Sequence, residues 1–184
     1  MVRPRADGRG PRATVDGLVP IEPPEFKALM SRFASGVTAI TVLDEGGDDH
    51  AMTASAFCSV SADPPLVLVC VSKKAVTHDK LLKRGAFAIN LLDAEQESVS
   101  NRFAGWWEPG RSKWADLALS RGPHSGAAWI EGALAQLDCS LHAAHDGGDH
   151  TIFIGRVEAG RLSEVERDAL RPLLYFSGRY RQLS

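Results

Sequence analysis

The chain has 184 residues, 44% hydrophobic and 24% charged, with a formal net charge of -2. That length allows one well-formed core and is short for two, and the composition is that of an ordinary globular domain. The near-neutral balance offers no basic field to nucleic acid or membrane, and no apolar run is long enough to span a bilayer.

Residues 1–20 carry Arg3, Arg5, Arg9 and Arg12 among Gly and Pro. They lack a core-forming pattern and the apolar segment of a secretory signal, so they are expected to be a disordered basic tail before one domain over 21–184. Pro23 and Pro24 open a predicted helix whose Phe26, Leu29, Met30 and Phe33 share one apolar face, with Gly36 as its left-handed cap. Val37 to Leu43 reads as a strand and Glu45 to Asp49 as a hairpin turn. The return strand is predicted as one stretch from Met52 to Pro65, small and hydroxyl-rich where a core strand would alternate bulky residues. Such a stretch lets a flat ligand approach the backbone, with hydroxyls free for a ring's carbonyls or a sugar chain. The bland alternative is a half-buried edge strand.

After the corner at Asp63-Pro64-Pro65, Leu66 to Val71 is uniformly apolar and predicts a strand buried on both faces. Ser72, Lys73, Lys74 and Thr77 gather at the start of a helix closed by Gly85, an anion site in kind or simply a capped helix with solvated lysines. Phe87 to Leu91 is a strand, and Asp93 with Gln96 makes a capping box for a helix running to about Phe103. Gly105 to Ser112, with Trp106 and Trp107, is a loop that covers a site or packs an interface. Trp129 to Ile130 and Ala133 to Ala144 read as strand, Asp146-Gly147-Gly148 as a turn, Thr151 to Val157 as the returning strand, and Leu173 to Phe176 as a last strand before the tail Gly178-Arg179-Tyr180.

Six or seven strands joined mainly by hairpins, with two or three helices inserted, predict a mainly β fold: an antiparallel barrel with flanking helices. There is no dinucleotide fingerprint, P-loop or nucleophile elbow. His142 and His145 stand three apart on a strand and Asp146 and Asp149 flank a glycine turn, a spacing that disfavours a metal site. Cys58, Cys70 and Cys139 lack metal or redox spacing and read as reduced, buried thiols of a cytoplasmic protein. His150 opens a strand at the barrel rim, where its ring points toward a ligand or is a surface turn histidine.

Five segments, R-F-A-S-G-V-T from Arg32, M-T-A-S-A-F-C-S-V-S-A-D-P-P-L-V-L-V-C from Met52, R-F-A-G from Arg102, G-D-H-T-I-F-I-G-R-V from Gly148 and P-L-L-Y-F-S-G-R-Y from Pro172, resemble the short-chain flavin reductase family. Its members are the reductase components of two-component flavin-dependent monooxygenases. The resemblance runs from about Phe26 to Tyr180 in the family's order. It implies an FMN-binding split β-barrel, a homodimer, reduction of FAD or FMN by NADH or NADPH, and a partner monooxygenase that receives the reduced flavin. By the same resemblance Met52, Thr53, Ala54, Ser55, Ala56 and Phe57 would line the isoalloxazine and ribityl chain, with Ser59 and Val60 just beyond. Ser72, Lys74, Ala75 and Thr77 would take the phosphate, and Arg102, Phe103 and Ala104 would border the flavin's far end. His150, with Ser177, Gly178, Arg179 and Tyr180, would meet the nicotinamide nucleotide. Two departures stand out: Ala75 where relatives often carry Ser, which bears on the phosphate contacts, and Lys113-Trp114 where they often carry Lys-Phe, after the unusual double-tryptophan loop, which bears on FAD against FMN. The competing readings are a non-enzymatic flavin storage or electron-transfer protein of the same barrel type, and a basic-tailed nucleic-acid module. The first lacks a reason for a nicotinamide site, and the second rests on the tail alone.

Overall fold

The computed structural model describes residues 20–183. The basic tail expected over 1–20 therefore lies, apart from Pro20, outside the described residues.

The first helix, α1 (Pro23–Met30), starts on its two prolines and stops earlier than its apolar pattern suggests. Gly36 is not a helix cap. It belongs to the short strand β1 (Ser35–Gly36) and pairs with Leu174 of β11 (Leu174–Phe176), so strand pairing replaces the helix's last turn. Among the described residues nothing covers the apolar face of α1: Phe26, Leu29, Met30 and Phe33 are all more than half exposed.

The next strands are β2 (Thr38–Leu43), β3 (Asp49–Ala54), β4 (Phe57–Ala62) and β5 (Pro65–Ser72), followed by helix α2 (Val76–Arg84) and β6 (Ala86–Leu91). A turn at Ala94–Gln96 carries the expected capping box from Asp93 and leads into α3 (Glu97–Phe103). Two short strands, β7 (Leu119–Arg121) and β8 (Ala128–Ile130), pair with each other. The long hairpin of β9 (Ala135–Gly147) and β10 (His150–Leu162) turns through Gly148 and Asp149, one step later than the sequence suggests. The supposed C-terminal tail is itself a strand, β12 (Arg179–Arg181), folded back on β11 through Ser177 and Gly178.

The main sheet has seven antiparallel strands in the order β3-β2-β6-β9-β10-β5-β4. Its two end strands are consecutive in the chain. The stretch predicted as one return strand breaks at Ser55 and Ala56, leaves one edge of the sheet and joins the other. The sheet thus curls into a barrel that stays split between β3 and β4. Register shifts in β4 and β10 add the bending that the curl needs. At Gly155 a Cβ would lie 2.6 Å from Phe87 Cζ, so only glycine lets β10 pass the packed barrel interior.

Strand alternation separates the two larger core clusters, and Ala88, Ala127 and Trp129 form a third. Ile40, Val42, Val69, Phe87, Ile89 and Phe153 fill the barrel, while Ala39, Leu92, Val99, Phe103, Ile130 and Leu173 pack beneath α3. The strand β5 is buried on one face only: Val67, Val69 and Val71 point inward, whereas Leu66, Leu68 and Cys70 stay half-buried on the outer face. The cysteines divide likewise. Burial pushes the Cys139 thiol up to about 12, Cys70 is half-buried, and Cys58 is exposed on the edge strand rather than buried.

Asp44, on the β2–β3 turn, ties that hairpin to α2. Its carboxylate accepts from Lys80 Nζ at 2.5 Å, from the Gly46 and Asp48 amides and from His50 Nε2. The hydrogen bond from Lys80, then that from Asp48, holds this carboxyl far below the usual carboxylate range. A lowered folded-state pKa adds stability that is complete above the unfolded value of about 3.9 and is lost as pH falls through the folded one. The Asp44→Asn variant should therefore melt below wild type at pH 7, with the gap closing as the pH drops below about 4. Melting curves from neutral to acid pH check this, and a pH-independent gap would show that the carboxylate's charge is not what holds the turn.

Candidate functional site

The break at Ser55–Ala56 is also where the chemistry collects. Phe57 N–H donates to Ser55 O, and Cys70 N–H to Ala56 O, so the crossing is held against β5. On one side opens a cleft of about 360 Å³ lined by Val37, Thr53, Ser55, Asn101, Ala104, Trp106, Tyr175, Gly178, Arg179 and Tyr180. Its walls come from five places: Val37 before β2, the end of β3, the C-terminal half of α3, the loop after α3, and the β11–β12 hairpin.

The polar groups of the cleft are already oriented. Thr53 Oγ1 donates to Ser100 O at 2.6 Å, so toward a ligand it only accepts. It suits a ring N–H rather than the carbonyl expected from the sequence. Tyr180 Oη donates to Asn101 Oδ1 and accepts from Ser100 Oγ, which locks β12 onto α3. With Oδ1 engaged, Asn101 keeps Nδ2 as a donor for a carbonyl. Tyr175 meets Tyr180 edge-on at 5.5 Å, so the hairpin presents an aromatic wall.

On the other side of the crossing, β5 ends at Ser72 and the chain turns into α2. Ala75 is the N-cap and gives no side-chain cap, so the first-turn amides carry none. Thr77 is buried there, and Lys74 is exposed. Lys73 is committed elsewhere: its Nζ holds the Asp146 carboxylate and Gly148 O, and its N–H donates to Asp149 O. These bonds pin the tip of the β9–β10 hairpin to the turn. His150 consequently sits opposite Ser72, half-exposed, with Nδ1 2.7 Å from Asp149 Oδ1. His78, buried in the first turns of α2, contacts Thr151 Oγ1 through Nε2 at 2.9 Å and braces the same junction.

The residues singled out in the sequence thus fall into three sets. Thr53, Ser55, Ala104, Gly178, Arg179 and Tyr180 share the cleft, and Ser72, Lys74, Ala75, Thr77 and His150 share the turn beyond the crossing. The rest are held elsewhere. Ala54 is 5% exposed and belongs to the barrel core, against which Met52 and Phe57 also pack. Ser59 and Val60 are exposed on β4, outside the cleft lining. Phe103 is buried under α3 against Trp114, and Arg102 turns its guanidinium onto the Trp107 ring (4.2 Å) and Ala115 O, so neither borders the cleft. Ser177 lies in the hairpin turn, its N–H donating to Ser31 O. Trp114 is likewise structural, its Nε1 donating to Asp49 O.

Val37, Asn101 and Tyr175 were not singled out as site residues. Asn101 stands one helical step before Ala104, and Tyr175, on the expected last strand, faces Tyr180 across a hairpin whose second strand the sequence suggests only as a tail. Among the described residues no group of His, Cys, Asp and Glu is arranged to hold a metal ion, and no helix is long and apolar enough to cross a membrane.

Comparison with known proteins gives this geometry a context. Residues 30–184 match the flavin reductase like domain family. The chain is 38% identical over 161 residues to the NADH-dependent FAD reductase of Streptomyces globisporus, covering 87% of this chain and 85% of that one. It is 42% identical over 158 residues to the reductase component of 4-hydroxyphenylacetate 3-monooxygenase of Thermus thermophilus, covering 86% and 95%. The solved structure of an NADH:FAD oxidoreductase of Streptomyces globisporus superposes with a TM-score of 0.81 at 36% identity, covering 95% of this chain and 99% of that one.

Proposed function

The chain belongs to the flavin reductase-like family, and from that membership we propose that it is an NADH:flavin oxidoreductase that reduces FAD or FMN and hands reduced flavin to a partner monooxygenase. The observation that carries the reading is the cleft at the strand crossing. Its small, exposed Ser55 beside the acceptor Thr53 and the donor Asn101 fits the edge of a flat ring that carries both N–H and carbonyl groups. Flavin held in this cleft would supply the acceptor for the hydride released from C4 of the reduced nicotinamide, so the cofactors would carry the chemistry.

The chain's part is positional. Ser55 and Ala56 let the ring approach the backbone, Thr53 and Asn101 fix its in-plane orientation, and Tyr180 with Tyr175 walls it in. The turn of Ser72, Lys74, Ala75 and Thr77 holds the phosphate with uncapped helix amides and the Lys74 charge. His150 would orient the nicotinamide, held in place because Lys73 pins its hairpin tip to the phosphate turn. The protein acts as a homodimer in this reading: Phe26, Leu29, Met30 and Phe33 form an exposed apolar face that a second copy covers.

One preparation tests the reading. Light scattering at micromolar concentration should give the mass of a dimer. NADH oxidation should depend on added FAD or FMN, with NADPH the poorer donor. A protein that binds flavin and oxidises neither nucleotide would be a storage flavoprotein, and the enzyme reading would fail.

A further inference from the structure

The loop after α3 holds one tryptophan and exposes the next. Trp107 lies between the Arg102 and Arg111 guanidinium groups, 4.2 and 5.0 Å from its ring, and donates Nε1–H to Arg111 O. Arg111 is itself paired with Asp116, and Arg102 with Ala115 O. Trp106 N–H donates to Asn101 O, which fixes the backbone at that point. The Trp106 indole is nevertheless 79% exposed, and it lines the cleft. Leaving an indole in water on a braced loop costs free energy that a stacked partner recovers.

A second group at the same cleft is also unengaged. Arg179 is exposed, and its guanidinium has no hydrogen bond or ion pair among the described residues. Indole face and free guanidinium together are the groups that recognise a nucleotide, the first for a base and the second for phosphate. A cleft of about 360 Å³ takes one ring system and leaves the remainder of a dinucleotide at its edge. The acceptor and donor that suit an isoalloxazine edge, Thr53 and Asn101, belong to β3 and α3, whereas Trp106, on the loop after α3, offers an exposed ring face.

We propose that Trp106 is the stacking platform for the adenine ring of a bound dinucleotide, with the Arg179 charge beside it at the same cleft. The inference rests on the flavin reductase reading and adds a determinant of dinucleotide over mononucleotide preference. FAD and NADH both carry this adenine, and the test separates them. Flavin affinity is measured by fluorescence titration with FAD and with FMN, and nucleotide use by initial rates with NADH and with reduced nicotinamide mononucleotide at saturating FMN.

Base stacking of this kind predicts a loss on the order of tenfold. If the adenine is that of FAD, Trp106→Ala lowers the preference for FAD over FMN by about that factor. If it is that of NADH, the preference for NADH over the mononucleotide falls instead. Trp106→Phe, which keeps a ring, retains most of the preference in either case and guards against a misfolded alanine variant. If neither ratio moves, the proposal is overturned, and that includes the case in which all four constants weaken alike. Binding ratios do not depend on turnover, so a wild type that binds flavin but oxidises no nucleotide would sink the enzyme reading while the FAD arm still tests Trp106.

Discussion

Ser55→Trp is expected to abolish flavin binding in a folded protein, while Ala54→Trp is expected to destabilise the fold. The two residues are neighbours in sequence, and only their sides differ. Ser55 is exposed at the crossing and lines the cleft, so a bulky ring there fills the space of the ligand and displaces no core atom. Ala54 is 5% exposed inside the barrel core with Val67, Val69 and Phe87. Overpacking such a site costs roughly 1–3 kcal/mol for a few extra methylenes, and an indole is far larger. At about 3 kcal/mol the melting temperature of a chain this size would fall by roughly 6–12 °C, enough to read without ambiguity. Thermal melts and FAD titration of both variants check the pair. Wild-type FAD affinity in Ser55→Trp would move the ring elsewhere, and an unchanged melt in Ala54→Trp would place that side chain outside the core.

His150→Ala is expected to lower kcat/KM for NADH by about tenfold to a hundredfold, the worth of a lost hydrogen bond and stacking surface on the order of 1–3 kcal/mol. His150 is poised for this by three contacts: it faces Ser72 across the β5–β10 pairing, its hairpin tip is bound by Lys73, and Asp149 holds its Nδ1. The flavin dissociation constant should barely move, since the proposed ring and phosphate contacts lie at the crossing and the α2 turn. Titrating flavin by fluorescence and nucleotide by initial rates separates the two. If neither constant changes, His150 only closes a turn, and the nicotinamide must be sought at Arg179 and Tyr180.

Much of the scaffold was legible beforehand because it depends on local chemistry. The β-branched run before Leu43, the Gly46-Gly47 turn, the Asp93–Gln96 capping box and the Gly85 cap each act within a few residues, and each stands in the structure. The quoted segments likewise pointed to flavin reductases, and the family match and the superposed structure agree.

What only the tertiary structure decided is which side of each element faces the cleft. Alternation says that Thr53 and Ala54 face opposite ways, but alanine is small enough for a core or a cleft wall, and its side is set by what β2 and β5 place opposite it. The break at Ser55 and Ala56 is equally invisible locally: nothing short-range says that one strand must leave one edge of a seven-stranded sheet and join the other. The resemblance sets Arg102 and Phe103 at the flavin's far end, and in the structure they pack against Trp107 and Trp114. Trp106 and Asn101 enter the cleft for the same reason, since it is assembled from α3, the loop after it and a hairpin far along the chain. Side-chain chemistry and short-range propensity are written residue by residue, whereas facing and burial are properties of long-range pairing, and those belong to the folded chain.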